Sequence, residues 1–333
     1  MCRLVMPGKT VATSEVRGPI PLKLIEEARE RIKGKVLRTP LIRLNVDDAS
    51  AEIFLKPENL QPTGSFKVRG VSNAIALAGP DARKRGVYTC SAGNMAQALA
   101  WQARQNKIPC TVIVPDNAPQ TKLEAIKRFG AKTIQASFDE VWNIVVTHRY
   151  PPLDGSVFIH PFADIRMMAG NGTAGLEILE DLPDVDSVVI PFGGGGLSVG
   201  IASAIRAKRP QTRIYAVEPE TAAPLSASFA AGSAKEIERT PSFVDGIGGK
   251  SVLPEMWERA RILLLPRVVS LSEIAAAIKL LIERNRVVAE GAGAASVAAA
   301  TTGKAGSGKI VCIVSGGNID SSKLVKILAG GIP

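Results

Sequence analysis

Few side chains in this sequence can do covalent chemistry, and one lysine is set apart by its neighbours. Residues 63 to 69 read TGSFKVR, which puts Lys67 between a glycine turn and a basic run, directly after Phe66. Most lysines are solvated surface charges. An amine beside an aromatic ring in a desolvated pocket, however, gives up its proton more readily and becomes a nucleophile and base. Lys67 is the candidate for that chemistry. His148 and His160 are the only two histidines and leave almost no material for a histidine-based triad or metal site. Cys2, Cys90, Cys110 and Cys312 lie far apart with no C-x-x-C spacing. That pattern suggests neither zinc nor a disulfide framework and fits a reducing compartment. Nothing beside Cys90 or Cys312 in sequence argues for a lowered thiol pKa.

Three glycine loops could supply the partners of that lysine. FGGGGLSVG at 192–200 follows the strand-like SVVIPF and precedes the helical IASAIRAKRP, so backbone amides and a helix start converge on an anion site suited to phosphate. SAGNM at 91–95 leads into the helical AQALAWQARQ, and SGGN at 315–318 ends the strand-like KIVCIVS. Loops of one type point to one pocket. A dinucleotide site is disfavoured even though Glu218 ends the next strand where a ribose-binding acid would sit. No register of GGGGLSVG gives G-x-G-x-x-G, because Ser198 or Val199 falls at the third glycine. GKAGSGKI at 303–310 mimics a nucleotide-binding loop, but Ile310 replaces its Ser or Thr and a strand follows it, so it reads as a surface connection.

The elements that must hold these loops are legible as alternating patterns. TVIVP (111–115), VFIH (157–160), SVVIPF (187–192), RIYAVE (213–218) and KIVCIVS (309–315) are short β-branched runs, each followed by a turn and a helical pattern. Such alternation means βαβ units and a mostly parallel sheet, with ligands beyond the carboxyl ends of the strands. At 333 residues, 46% hydrophobic and 22% charged, the chain has the composition of a globular protein with room for two domains. The net charge of +10 comes from scattered groups (RERIKGK, DARKRG, AKRP, LLIERNR) without interleaved aromatics. They read as solvated helix faces, not as a nucleic-acid surface. The first twenty residues lack a continuous apolar run, and no stretch of about twenty uncharged apolar residues occurs, so neither export nor membrane spanning is expected. That opening reads as a loose tail. Composition breaks only at YPPLDGS near 150 and PRVV near 266, and neither looks like a long linker.

Eight segments taken together resemble the fold-type II pyridoxal phosphate enzymes, specifically the serine/threonine dehydratase and serine racemase branch. They are KPENLQPTGSFKVRG (56–70), SAGNMAQ (91–97), HPF (160–162), AGNGT (169–173), GGGGL (193–197), VEP (217–219), AEGAGA (289–294) and SGGN (315–318), spanning about Thr39 to Lys323. Cysteine synthases and threonine synthases fit less well, since Val68 stands where their lysine motifs carry Asp. The resemblance implies an α/β fold like tryptophan synthase β, with two domains, each a mostly parallel sheet flanked by helices. The larger, cofactor-binding domain would comprise 1–87 and 164–333, and the smaller, inserted one 88–163.

By the same resemblance Lys67 forms the Schiff base with pyridoxal phosphate, beside Phe66. Gly193, Gly194, Gly195, Gly196 and Leu197 hold its phosphate, Asn94 its phenolic oxygen, and Ser315 faces its pyridine nitrogen. Ser91, Ala92, Gly93, Asn94 and Met95 hold the substrate, with the carboxylate at a helix start. A neutral hydroxyl at the pyridine nitrogen cannot enforce the pyridinium as an aspartate would, which favours rapid loss of a β-substituent. The implied enzyme is a cytoplasmic lyase that converts a β-hydroxy amino acid, L-threonine or L-serine foremost, to a 2-oxo acid and ammonia. A homodimer is implied, with a small amino acid as partner and neither nucleic acid nor membrane.

Departures from the family pattern bear on the substrate more than on the reaction. Ala92 replaces the second serine that racemases use as a base, which disfavours the alternative of an amino-acid racemase. Met95 stands for the usual histidine, Asn171 for a common glutamine and Ala163 for a common acid, so 3-hydroxyaspartate or phenylserine remain alternative substrates. Pro224 stands where relatives have a second carboxylate beside the glutamate of VEP, here Glu218, so no metal is assigned. Glu290 matches a family acid near the cofactor, or is simply a helix-start acid. The chain ends soon after SGGN, so feedback through a C-terminal regulatory module is not expected. A non-catalytic binding protein on this fold is a third possibility, which the set of Lys67, Asn94 and Ser315 argues against.

Overall fold

The computed structural model describes residues 3–6, 9–12, 18–47, 51–118 and 120–333. Strands β1 (Arg3–Met6) and β2 (Lys9–Ala12) pair antiparallel, where the sequence suggested a loose tail; Cys2 and residues 13–17 lie outside the described residues. Then come α1 (Leu22–Ile32), β3 (Ile42–Arg43), β4 (Ala51–Pro57) and α2 (Lys67–Arg85), the last kinked where Gly79 takes φ +63° ahead of Pro80. Strict alternation follows through β5 (Val87–Cys90), α3 (Asn94–Gln105), β6 (Cys110–Pro115), α4 (Gln120–Arg128), β7 (Lys132–Ala136), α5 (Phe138–Thr147) and β8 (Val157–Phe158). The next elements are α6 (Ile165–Asp181), β9 (Ser187–Pro191), α7 (Gly196–Lys208), β10 (Arg213–Pro219) and α8 (Pro224–Ala231). The chain closes with α9 (Pro254–Leu263), β11 (Leu265–Val269), α10 (Leu271–Leu280), α11 (Gly291–Thr301), β12 (Gly308–Val314) and α12 (Ser321–Leu328).

Two main sheets result. One has the order β11-β10-β9-β12-β4-β3 and is parallel except at β3, and the other, β7-β6-β5-β8, is wholly parallel. Every residue of β9 is buried, as continuous apolar strands covered on both faces must be. The PRVV segment, a break by composition, is the edge strand β11, where a proline costs least.

Register brings the loops together. Cys312 of β12 lies opposite Leu55 of β4 and Val189 of β9. Two residues on, the three strands end at Val314, Pro57 and Pro191, so SGGN, the lysine loop and GGGGL emerge side by side. Behind them, α6 packs backbone to backbone on both α2 and α7. A Cβ on Gly170 would lie 2.5 Å from the Arg69 carbonyl, and one on Gly172 would lie 2.8 Å from that of Gly200. Among the described residues, no helix is long and apolar enough to cross a membrane.

Candidate active site

The lysine loop is fastened to SGGN. Phe66 N–H donates to the Ser315 carbonyl (3.0 Å) and Gly317 N–H to that of Gly64 (2.9 Å), while Gly64 itself sits at φ +70°. This turn delivers Lys67 as the first residue of α2.

Beneath it lies a buried charge network that the sequence did not reveal. Arg69 is wholly buried and grips Glu58 with Nε and Nη2 (2.7 and 2.8 Å) and Glu177 of α6 with Nη1 and Nη2 (2.7 and 2.8 Å). Lys56, equally buried, donates to Glu177 and to the Thr39 carbonyl, each at 2.6 Å. Two cations and two carboxylates cancel, which is what allows full charges to stay inside. The basic run after Lys67 is therefore internal at Arg69, and it ties α2 to α6.

The lysine amine meets the HPF segment. Nδ1 of buried His160 accepts from the N–H groups of Phe162 (3.1 Å) and Ala163 (2.8 Å), which leaves the ring proton on Nε2 to donate to the Val145 carbonyl (3.1 Å). Burial pushes His160 down to about 3, so the ring is a neutral brace. The turn so fixed aims the Pro161 carbonyl at Lys67 Nζ, 2.6 Å away. Burial lowers the Lys67 amine to about 8, against the opposing charge of Glu290. Nζ also lies 5.1 Å from the centre of the Phe66 ring.

Phe162 covers the glycine loop. A Cβ on Gly194 would fall 2.2 Å from the Phe162 ring and one on Gly196 2.7 Å from its carbonyl, while Gly195 takes φ +88° at the start of α7. No side chain fits there, so the free N–H groups of the first turn of α7 are exposed to an anion. On the opposite wall Ser91 Oγ accepts from Gly93 N–H (3.1 Å), and α3 starts at Asn94. Phe66, Lys67, Ser91, Ala92, Gly93, Asn94, Met95, Gly193, Gly194, Gly195, Gly196, Leu197 and Ser315 all line one cavity of about 580 Å³. Every predicted site residue is thus in one place. Lining residues that sequence reasoning missed include Pro161, Trp142, Lys122, Asn318 and the segment from Asp245 to Ser251. HPF and SGGN were the signals for the first and fourth, and nothing in the pattern marked the others.

The departures are now concrete. Asn171 Oδ1 accepts from Gly70 N–H (3.1 Å) and its Nδ2 donates to the Gly196 carbonyl (3.2 Å), which clasps the lysine helix to the glycine loop. Met95 is buried at the cavity wall. Glu218 spends its carboxylate on α8, accepting from the N–H groups of Leu225 (2.7 Å) and Ser226 (2.8 Å) and from Ser226 Oγ (2.8 Å), and burial raises it to about 7. Burial pushes the Cys90 thiol up to about 12, which makes it a core residue.

An amine held near neutrality, a side-chain-free phosphate cradle and a hydroxyl beside them suit a phosphorylated aldehyde cofactor, and together they define a pyridoxal phosphate enzyme. The family model described as pyridoxal-phosphate dependent enzyme matches residues 32–316, and the chain belongs to that family. It is 42% identical over 319 residues to an L-threonine ammonia-lyase of Thermotoga maritima, covering 94% of this chain and 79% of that one. It is 38% identical to the catabolic L-threonine dehydratase of Escherichia coli over 93% of this chain and 96% of the relative. Among solved structures, maize serine racemase superposes with a TM-score of 0.83 at 35% identity, covering 95% of this chain and 98% of the racemase. Threonine deaminase isoform 2 of Solanum lycopersicum gives 0.85 at 30% identity, over 98% and 93% of the two chains.

Proposed function

We propose that the protein is a pyridoxal phosphate-dependent lyase that eliminates the β-hydroxyl of L-threonine or L-serine as water and takes water up again on hydrolysis, so that a 2-oxo acid and ammonia are released. The observation that carries this is the Lys67 amine, lowered to about 8 inside a cavity whose opposite wall offers Ala92 where a second base would stand. The bound cofactor supplies an electron sink for the bond broken at Cα. Lys67 Nζ takes the α-proton, and an amine near neutrality at working pH suits that task. Gly193 to Leu197 hold phosphate through backbone N–H groups, and the start of α3 with Ser91 holds the substrate carboxylate. Asn94 donates to the phenolic oxygen, and the Ser315 hydroxyl faces the pyridine nitrogen without imposing a charge.

The four-stranded sheet and its helices form the smaller domain, about 88–163, and the remainder forms the larger. The enzyme is a cytoplasmic homodimer, a state that ultracentrifugation checks. Purified protein is expected to be yellow and to release a 2-oxo acid from one member of a panel of β-hydroxy amino acids. Recovered substrate should keep its chirality, and Lys67→Ala should abolish turnover. A colourless protein that cannot be reconstituted with pyridoxal phosphate overturns the proposal, as does near-normal turnover by Lys67→Ala.

A further inference from the structure

Glu290 and Asn318 are two residues that the reaction above leaves unused, and they meet at Asn94. A carboxamide is nearly symmetric in shape, so its orientation is set by its hydrogen-bond partners. The Thr63 carbonyl can only accept, and Asn318 faces it at 2.9 Å, so Asn318 presents Nδ2 there. The other hydrogen of that nitrogen reaches Asn94 at 2.7 Å, so Asn94 must present Oδ1 to it. Asn94 Nδ2 then points away and donates to Glu290 Oε1 at 2.7 Å. Glu290 is 7% exposed, and the backbone N–H of Asn318 favours its charged form, so the three residues act on one another. The chain of bonds stands on the lysine loop, because Thr63 belongs to that loop and a Cβ on Gly64 would lie 2.6 Å from Asn318 Oδ1.

We propose that Asn318 and Glu290 are positioning residues that lock the Asn94 amide with its nitrogen toward the cofactor, so that the second hydrogen of Nδ2 is the donor offered to the phenolic oxygen. The inference rests on the function proposed above. Without the lock the amide flips and turns an acceptor toward an oxygen that also accepts. Asn318→Asp is the sharper variant, because a carboxylate is repelled by the Thr63 carbonyl and cannot donate to Asn94 Oδ1. Asn318→Ala removes the anchor without adding charge, and Glu290→Ala removes the acceptor on the other side.

The test is the absorbance of bound pyridoxal phosphate across pH, since the ratio of its two bands reports whether the phenolic oxygen keeps its proton. It is read with kcat for the threonine reaction and thermal melting of each variant. The lock predicts a changed band ratio in all three variants, largest for Asn318→Asp, and a fall in kcat of about 100-fold, the scale of a small misplacement in a site. A merely structural role would lower the melting temperature and leave the band ratio of the folded fraction unmoved. Band ratios equal to wild type in folded Asn318→Asp and Asn318→Ala overturn the lock while the lyase function stands. A wild-type protein that binds no pyridoxal phosphate overturns the function itself.

Discussion

A half-buried lysine with its amine drawn out of water is an odd choice for stability, and at Lys67 the cost should be measurable. Burial lowers its amine from 10.5 to about 8. Between those values the unfolded chain binds the proton and the folded chain does not, so stability gained at this site rises with pH from about 8 to 10.5. Below pH 8 both states are protonated, and the full penalty of burying the ammonium remains, up to about 3 kcal/mol. In protein stripped of cofactor, Lys67→Met should therefore melt higher than wild type at pH 7, with the gap closing as pH is raised through that window. A gap that does not change with pH would show that the site tolerates the charge. The opposite holds at Arg69, where removal strands the buried carboxylate of Glu58 and leaves Glu177 with Lys56 alone. Arg69→Met should cost about 3–5 kcal/mol in denaturant unfolding. Lys67 was legible in the sequence because its neighbours, a glycine turn and an aromatic ring, are local. Arg69 looked like one more surface charge because its partners, Glu58 and Glu177, are set by tertiary packing across 11 and 108 residues. His160 lies within the legible HPF segment, but its brace role depends on Val145, which lies on another element.

Helix α6 is the spacer between the lysine and the phosphate cradle. Its glycines let α2 and α7 approach at backbone distance, and Asn171 bonds both Gly70 and Gly196. The separation of Lys67, at the start of α2, from the first turn of α7 is thus fixed by side chains that touch neither ligand. Gly170→Ala must push α2 off α6, because its methyl would meet the Arg69 carbonyl at 2.5 Å. The expected cost is about 1–3 kcal/mol of stability, together with weaker pyridoxal phosphate binding. Asn171→Leu should weaken binding more than it lowers melting, since it cuts the clasp while keeping the helix apolar. Titrating cofactor into the stripped variants, beside thermal melts, separates the two effects, and unchanged affinity in both would refute the spacer role. The motif AGNGT was visible in the sequence, but its meaning was not, because a glycine inside a helix pattern does not name the backbone it lies against. The strands were easier, since continuous β-branched runs bounded by turns carry their own signal. PRVV escaped because its proline hid an edge strand.

Across the whole molecule, the cavity takes its walls from both sheets and is crossed by the segment 232–253. The segment has little regular structure and no hydrophobic period, so the sequence said nothing of its place. Three contacts tie it to the helices of the four-stranded sheet: Lys122 to Asp245 at 2.7 Å, Arg239 over Phe138 at 5.2 Å and Lys250 over Trp142 at 5.9 Å. The Lys122 and Asp245 side chains are 25% and 46% exposed, and such pairs contribute about 1 kcal/mol or less each. Phe243, Val244 and Ile247 anchor the segment in the core, so it is its link to the opposite wall that relies on the cavity filling beneath it. A ligand present at 100 times its dissociation constant adds about 2.7 kcal/mol to the folded state, and a cofactor spanning both walls directs that gain to the groups that face each other across the cleft. Limited proteolysis should accordingly cut the stripped protein first within 232–253, at a rate that falls when pyridoxal phosphate is restored. Lys122→Ala should speed the cut further in the stripped protein and much less in the loaded one, because the exposed pair matters only while nothing else joins the walls. Cleavage at the same rate with and without cofactor would mean that the segment is held by its own contacts and does not depend on what the cavity contains.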